Sequence, residues 1–297
     1  MLANRKIRML LTRQPTTEGS GVHLHRVFGT RQAPRFDPFL LLDDFRSDTP
    51  AHYRRGFPWH PHRGIETITY VIKGDVEHGD SLGNSGVISS GDVQWMTAGS
   101  GIIHQEMPRG DAHGAMHGFQ LWANLPAAQK MMAPRYRGIR ANQVPTVRLK
   151  NGVSVKVIAG SIGGAKGPMD DIVIDPEYLD CTVPEGETFA HATDPSYTAF
   201  VYVIGGEGKT DATDIANGTL VLFDQGMRLA VSAAATPLRF LLLTGKPLNE
   251  PAAWRGPIVM NTQAELDQAF RAYREGTFIK HPSSGLNNLD NQRHPPG

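Results

Sequence analysis

Tyr70-Val71-Ile72-Lys73-Gly74 runs a short apolar strand into a glycine turn, and about 130 residues later Tyr202-Val203-Ile204-Gly205-Gly206 does the same. The apolar stretch Phe119-Gln120-Leu121-Trp122 likewise has a counterpart in Phe240-Leu241-Leu242-Leu243. One unit is written twice. Around each copy, short runs rich in Val, Ile, Thr and aromatics are cut apart by Gly and Pro, the pattern of many strands and turns. Strands are expected over 22–28, 39–45, 66–73, 75–80, 92–97, 102–107 and 116–124, then over 153–159, 172–183, 198–204, 219–223, 229–232 and 238–244. Short antiparallel strands leave open edges unless the sheet closes, so the expected fold is all-β: two antiparallel β-barrels of jelly-roll type. The seam is placed at Asn142 to Pro145, after a stretch, Lys130 to Arg140, that reads as neither strand nor amphipathic helix. That divides the chain into an N-terminal domain, 1–141, and a C-terminal domain, 142–280. A helix is expected after Asn261-Thr262, with Leu266, Phe270 and Tyr273 at helical spacing until Gly276, lying as a lid on apolar barrel surface. The polar, Pro- and Asn-rich residues 281–297 read as a flexible tail.

Composition narrows the function. With 30 Lys and Arg against 29 Asp and Glu, and no block of five like charges, the chain offers no footprint for direct nucleic-acid binding or a membrane surface. Apolar runs such as Phe240 to Leu243 fall far short of the roughly 18 residues of a spanning helix, and the N-terminus lacks the apolar core of a secretory signal. A soluble, cytoplasmic protein, monomeric, is expected. A single cysteine, Cys181, allows neither an internal disulfide nor a cysteine metal cluster.

Histidine is unevenly spread: nine of the 12 fall within the first 117 residues. Two pairs stand out, His60-Pro61-His62 and His104-Gln105-Glu106. Alternate side chains of a strand share a face, so each pair aims two groups the same way. Three neutral imidazoles and a carboxylate suit a divalent first-row metal, being too rich in nitrogen for Mg²⁺ or Ca²⁺ and lacking the thiolates of structural zinc sites. The pairs alone are as readily hydrogen-bonded imidazoles as ligands.

Their surroundings say more. Gly56-Phe57-Pro58-Trp59-His60-Pro61-His62-Arg63-Gly64-Ile65-Glu66-Thr67 and the run from Gly91 to Met107 resemble the pirin family of the cupin superfamily, as do Phe39 to Phe45, Gly118 to Leu125 and Gly256 to Thr262. The resemblance implies a bicupin whose N-terminal barrel holds one metal through His60, His62, His104 and Glu106. That metal is iron(II) in the typical case, with Zn, Ni, Mn, Co or Cu as other divalent ions. It also implies a metal-dependent dioxygenase that opens a flavonol such as quercetin with O₂ and releases carbon monoxide, Glu106 taking the hydroxyl proton. The alternative it implies is a redox-sensing regulatory protein that works through contacts with a protein partner.

Glu66 sits where many cupins place their carboxylate ligand, and is expected instead to accept a hydrogen bond from a ligand imidazole or from Arg63. The second barrel, with His191 its only histidine, is expected to carry no metal. His113 and His117 are candidates for the pocket border, whereas His23, His25, His52 and His78 read as surface or sheet-face residues. Phe57, Trp95, Met96, Met107 and Trp122 divide between an apolar mouth and the core, and Arg63 with Asp43-Asp44 reads as a possible ion pair.

Overall fold

The computed structural model describes residues 4–281. Ile65–Lys73, the strand bearing the first echo, lies third in a seven-stranded antiparallel sheet ordered Arg135–Ile139, Val93–Thr97, Ile65–Lys73, His117–Asn124, Phe39–Asp44, Val22–Phe28, Gln14–Glu18. A four-stranded sheet, Phe57–His62, Ile102–Pro108, Val76–Asp80, Ser85–Ile88, closes over it, and Val22, Leu24 and Val71 pack against Val76 and Ile88 between the two. The second half repeats the plan. Its seven-stranded sheet runs Ile7–Thr12, Thr219–Phe223, Thr198–Gly205, Leu238–Gly245, Glu177–Val183, Ser154–Ala159, Thr146–Arg148, and its four-stranded sheet Thr188–Ala192, Arg228–Ala233, Glu207–Thr210, Thr213–Ala216.

The two large sheets pack back to back. Ile68, Tyr70, Trp95, Phe119 and Leu121 of the first share a core with Tyr178, Phe200, Tyr202, Leu222 and Leu243 of the second. Strands so placed are covered on both faces, which is why they read as nearly continuous apolar runs rather than as alternation. The two echo tyrosines mark this contact. Tyr70 Oη donates to Asp180 Oδ2 (2.7 Å) in the second barrel, and Tyr202 Oη to Asp44 Oδ2 (2.6 Å) in the first. The repeat thus records a pseudo-twofold pair of buried bonds.

Several details differ from the sequence reading. Ile7–Thr12 pairs with Thr219–Phe223, so the first strand of the chain completes the second barrel, not the first. Conversely, the hairpin Ala253–Arg255 and Ile258–Met260 and the helix Gln263–Arg274 return to the first barrel, where Val259 N donates to Arg63 O (3.1 Å). Thr262 caps that helix and forms a reciprocal pair with Glu265. Its buried stripe is Leu266, Ala269 and Ala272, not Leu266, Phe270 and Tyr273; small alanines let the backbone approach, leaving Phe270 beneath Arg255 and Tyr273 exposed. Lys130 to Arg140 does contain a strand, Arg135–Ile139, which sits at a sheet edge and so lacks an apolar run. The strand expected over 172–183 begins only at Glu177. Of the expected tail, 282–297 lie outside the described residues. No helix among the described residues is long and apolar enough to cross a membrane.

Candidate metal centre

His60 and His62 come from the Phe57–His62 strand and His104 from its antiparallel neighbour Ile102–Pro108, in a register that sets His104 opposite His60 and Ile102 opposite His62. The period-two alternation then brings three imidazoles to one side, with one ring nitrogen of each within 4.8 Å of the others. Among the described residues this is the one such group of three or more potential ligands. His60 Nε2 stands 3.0 Å from both His62 Nε2 and His104 Nε2.

The protons explain what this arrangement wants. His60 Nδ1 lies 2.8 Å from Pro58 O, and His62 Nδ1 2.9 Å from Pro257 O. A carbonyl only accepts, so each Nδ1 carries the hydrogen and each Nε2 is left with a bare lone pair. Burial and mutual repulsion hold His62 and His104 well below the usual imidazole range, and burial lowers His60 too; none offers a second proton to bridge the gap. The lone pairs of His60 and His62, turned on one another at 3.0 Å, repel unless a cation lies between them. The donor set therefore fits a divalent first-row metal, with carbonyls orienting two of the ligands and the edge of His62 lying against Trp122 at 5.0 Å.

Glu106 stands beside this group without joining it. A bulge between His104 and Glu106 shifts the register against Phe57–His62, so Glu106 faces Phe57, while the pairing with Val76–Asp80 stays regular. Its carboxylate lines the same cavity and receives the Thr69 hydroxyl at 2.7 Å. Glu66 is bound elsewhere, by Thr97 Oγ1 at 2.6 Å, and burial raises its carboxyl; it accepts from neither Arg63 nor a ligand imidazole. Arg63 does not reach Asp43 or Asp44 either. It donates to Ser100 O and Phe278 O, whereas Asp43 pairs with Arg26 and Asp44 with Arg13 and Arg46.

The histidines outside the pairs sort differently from the sequence reading. His117 leans toward Asp44 at 3.8 Å, burial bringing it to about 4, and neither it nor the exposed His113 lines the cavity. His78 is buried, not superficial: it stacks on Tyr136 and its ring lies 5.6 Å from that of His104. Sequence spacing held a signal for it, since His78 and Asp80 alternate on their strand as His104 and Glu106 do. In the second barrel His191 is matched with Glu177 at 2.9 Å.

Above the imidazoles opens a cavity of about 580 Å³. Of the residues expected to divide between mouth and core, Phe57 and Trp122 line it and Trp95 and Met96 lie in the core; Trp59, half exposed, and Trp254 line it as well without having been expected there. Those two were missed because one lies between the prolines of the ligand strand and the other comes from the distant C-terminal hairpin.

The comparisons with known proteins agree with this geometry. Residues 21–123 match the Pirin family model and residues 178–279 that of the Pirin C-terminal cupin domain. The chain is 43% identical over 277 residues to a pirin-like protein of Caulobacter vibrioides, covering 92% of this chain and 99% of that protein. The chain belongs to the pirin family. Its two barrels are thus the two cupins of a bicupin. This pirin is also 41% identical over 264 residues to a pirin-like protein of Solanum lycopersicum, 87% of this chain and 88% of that one. Among solved structures, a quercetin 2,3-dioxygenase from Acinetobacter baumannii is similar at 33% identity with a TM-score of 0.85, covering 93% of this pirin and 99% of that chain. A bacterial pirin from Escherichia coli, solved in complex with nickel(II), shares the fold at 21% identity and a TM-score of 0.61, over 80% of this pirin and 98% of that chain.

Proposed function

We propose that this pirin is a metal-dependent dioxygenase that opens a flavonol such as quercetin, the 3-carbon leaving as carbon monoxide and both atoms of O₂ entering the ring-opened ester. The observation that carries the reading is the convergence of three imidazoles, of which His60 and His62 line a cavity walled by tryptophans and turn bare Nε2 lone pairs on one another, beside the carboxylate of Glu106. Likeness to the Acinetobacter quercetin 2,3-dioxygenase supports it. His60, His62 and His104 would hold the ion, iron(II) in the first instance, with Glu106, which lines the same cavity, as a fourth ligand. When bound, the metal supplies a Lewis acid that lowers the flavonol hydroxyl pKa and a site where substrate and O₂ meet.

The proton is the work of the chain's own residues. Thr69 Oγ1 lies 2.7 Å from Glu106 Oε1 and 2.7 Å from Gln120 Oε1, yet a hydroxyl has one hydrogen to give. With Glu106 ionised, Thr69 donates to it. Once Glu106 has taken the substrate proton it donates to Thr69, whose own hydrogen turns to Gln120. Thr69 thus gives Glu106 a hydrogen-bond partner in both protonation states, as a general base requires. Trp59, Trp122 and Trp254 would hold the flat rings and keep water away.

The test is anaerobic addition of quercetin to metal-loaded protein, then O₂, with carbon monoxide measured. Stoichiometric release is expected. Glu106→Gln should keep the metal and lose at least about 100-fold in turnover, while His60→Ala should lose the metal itself. Undiminished cleavage by Glu106→Gln would show that the base is another group. Absence of carbon monoxide, together with partner binding that follows oxidation of the ion, would replace the enzyme with a sensor.

A further inference from the structure

The inner face of the first barrel's large sheet carries an unbroken polar row. Register sets Gln94 opposite Thr69, Thr69 opposite Gln120, Gln120 opposite Asp43, and Asp43 opposite Arg26, one residue from each of five neighbouring strands. Glu106 joins the row at Thr69. Past Arg26 the row ends on Glu18, whose Oε1 forms an ion pair with Arg26 Nη1 at 2.9 Å. Thr69, Gln120, Asp43, Arg26 and Glu18 all line the cavity that holds the imidazoles. With strands about 4.8 Å apart, Asp43 lies about 10 Å and Arg26 about 14 Å along the sheet from Thr69. That is the length of a three-ring aromatic molecule.

An ion pair here is costly to build, because Asp43 is 5% exposed and the desolvation of its carboxylate offsets much of the gain from Arg26. Its hydrogen-bonding capacity is also only partly used. Arg26 Nε and Nη2 donate to the two Asp43 oxygens at 2.9 and 2.8 Å, and Nη1 pairs with Glu18 at 2.9 Å, so at least two of the five N–H groups are left unengaged among the described residues. Each Asp43 oxygen keeps room for a second donor. The end of the cavity therefore presents free N–H donors and anionic acceptors side by side.

We infer that Arg26, Asp43 and Glu18 form the anchor for the far ring of the aromatic substrate, and that they select a ring bearing two adjacent hydroxyls. Such a pair can accept from the guanidinium with one oxygen while both hydroxyls donate to the carboxylates. A single hydroxyl meets half of that set, and a bare ring none. This deepens the proposed function and rests on it: the imidazole end positions the reacting ring, and the arginine end decides which molecules reach it.

The experiment compares quercetin with the flavonol lacking both hydroxyls on that ring, using metal-loaded full-length protein. Wild type should favour quercetin about tenfold or more in kcat/KM, the worth of one to two hydrogen bonds. Glu18→Gln, a change at a partly exposed side chain, and Arg26→Lys, which keeps the charge and loses the fork, should each bring the ratio within about twofold of unity through KM rather than kcat. A ratio unmoved in both variants overturns the anchor. Equilibrium quenching of tryptophan fluorescence by the two flavonols, read on the same proteins, separates the two levels. If neither flavonol is consumed but quercetin binds more tightly and loses that advantage in the variants, the dioxygenase reading fails and the anchor stands. Equal affinity for both flavonols in the wild type overturns the anchor.

Discussion

Gly64 follows His62-Arg63 with φ of 78°, and a side chain there would strike Val259 O at 2.0 Å, so only glycine lets the C-terminal hairpin approach the ligand strand. Lys130 locks the approach: its ammonium donates to Gly64 O (2.9 Å), Asn124 Oδ1 (2.6 Å) and Val259 O (3.0 Å), with no carboxylate in contact among the described residues. Burial brings Lys130 down to about 8. Above that pH the folded chain releases a proton that the unfolded chain keeps until about 10.5, so the unfolded state binds more protons and stability rises with pH across the window. Relative to Lys130→Met, which has no such proton, wild type should gain up to about 3 kcal/mol between pH 8 and 10.5 in paired urea titrations. A gap independent of pH would show that the three oxygen acceptors fully offset the burial of the ammonium and leave its pKa at the ordinary lysine value. The clustered histidines His60, His62 and His104 were legible in the sequence because H-x-H and H-x-E need only strand alternation to be read. Lys130 was not: its partners sit at 64, 124 and 259, and nothing local announces a meeting across such separations.

At the scale of elements, legibility followed burial. Ile65–Lys73 and Leu238–Gly245 are covered on both faces and so appear as dense apolar runs, whereas the edge strands Gln14–Glu18 and Arg135–Ile139 keep much of their surface in water and read as loop. The helix was visible from its cap but its inward face was misjudged, because large side chains were counted where close approach had selected Ala269 and Ala272. Its start rests on local chemistry. Thr262 Oγ1 accepts from Glu265 N at 3.2 Å while Glu265 Oε2 accepts from Thr262 N at 2.8 Å. Thr262→Ala should therefore cost about 1 kcal/mol in chemical denaturation. Because the two halves share a core, the loss should lower the midpoint of the whole chain's single transition. A value near zero would mean that packing alone defines the helix start.

Across the whole molecule, each half lends an element to the other. Ile7–Thr12 edges the second barrel, and the segment from Ala253 through Phe278 covers the first. With the shared core between the large sheets, this predicts one cooperative unfolding transition rather than two. Tyr70→Phe and Tyr202→Phe each remove a buried bond to an aspartate that keeps its arginine partners, and each should cost about 1 to 2 kcal/mol. The double variant should still melt in one step; two separated calorimetric peaks would show that the barrels are thermodynamically independent. The repeated tyrosine motif revealed the duplication but not its purpose, since its partners, Asp180 and Asp44, lie in the opposite halves. The carbonyl of Pro257 that fixes the His62 tautomer has a consequence for biosynthesis. While the chain is still being made, the leading barrel can emerge with all three imidazoles yet without the group that aligns one of them. Tight capture of an ion would therefore wait until the hairpin carrying Pro257 has been made, and a ribosome stalled after the first half would carry a nascent barrel with a slack grip on metal.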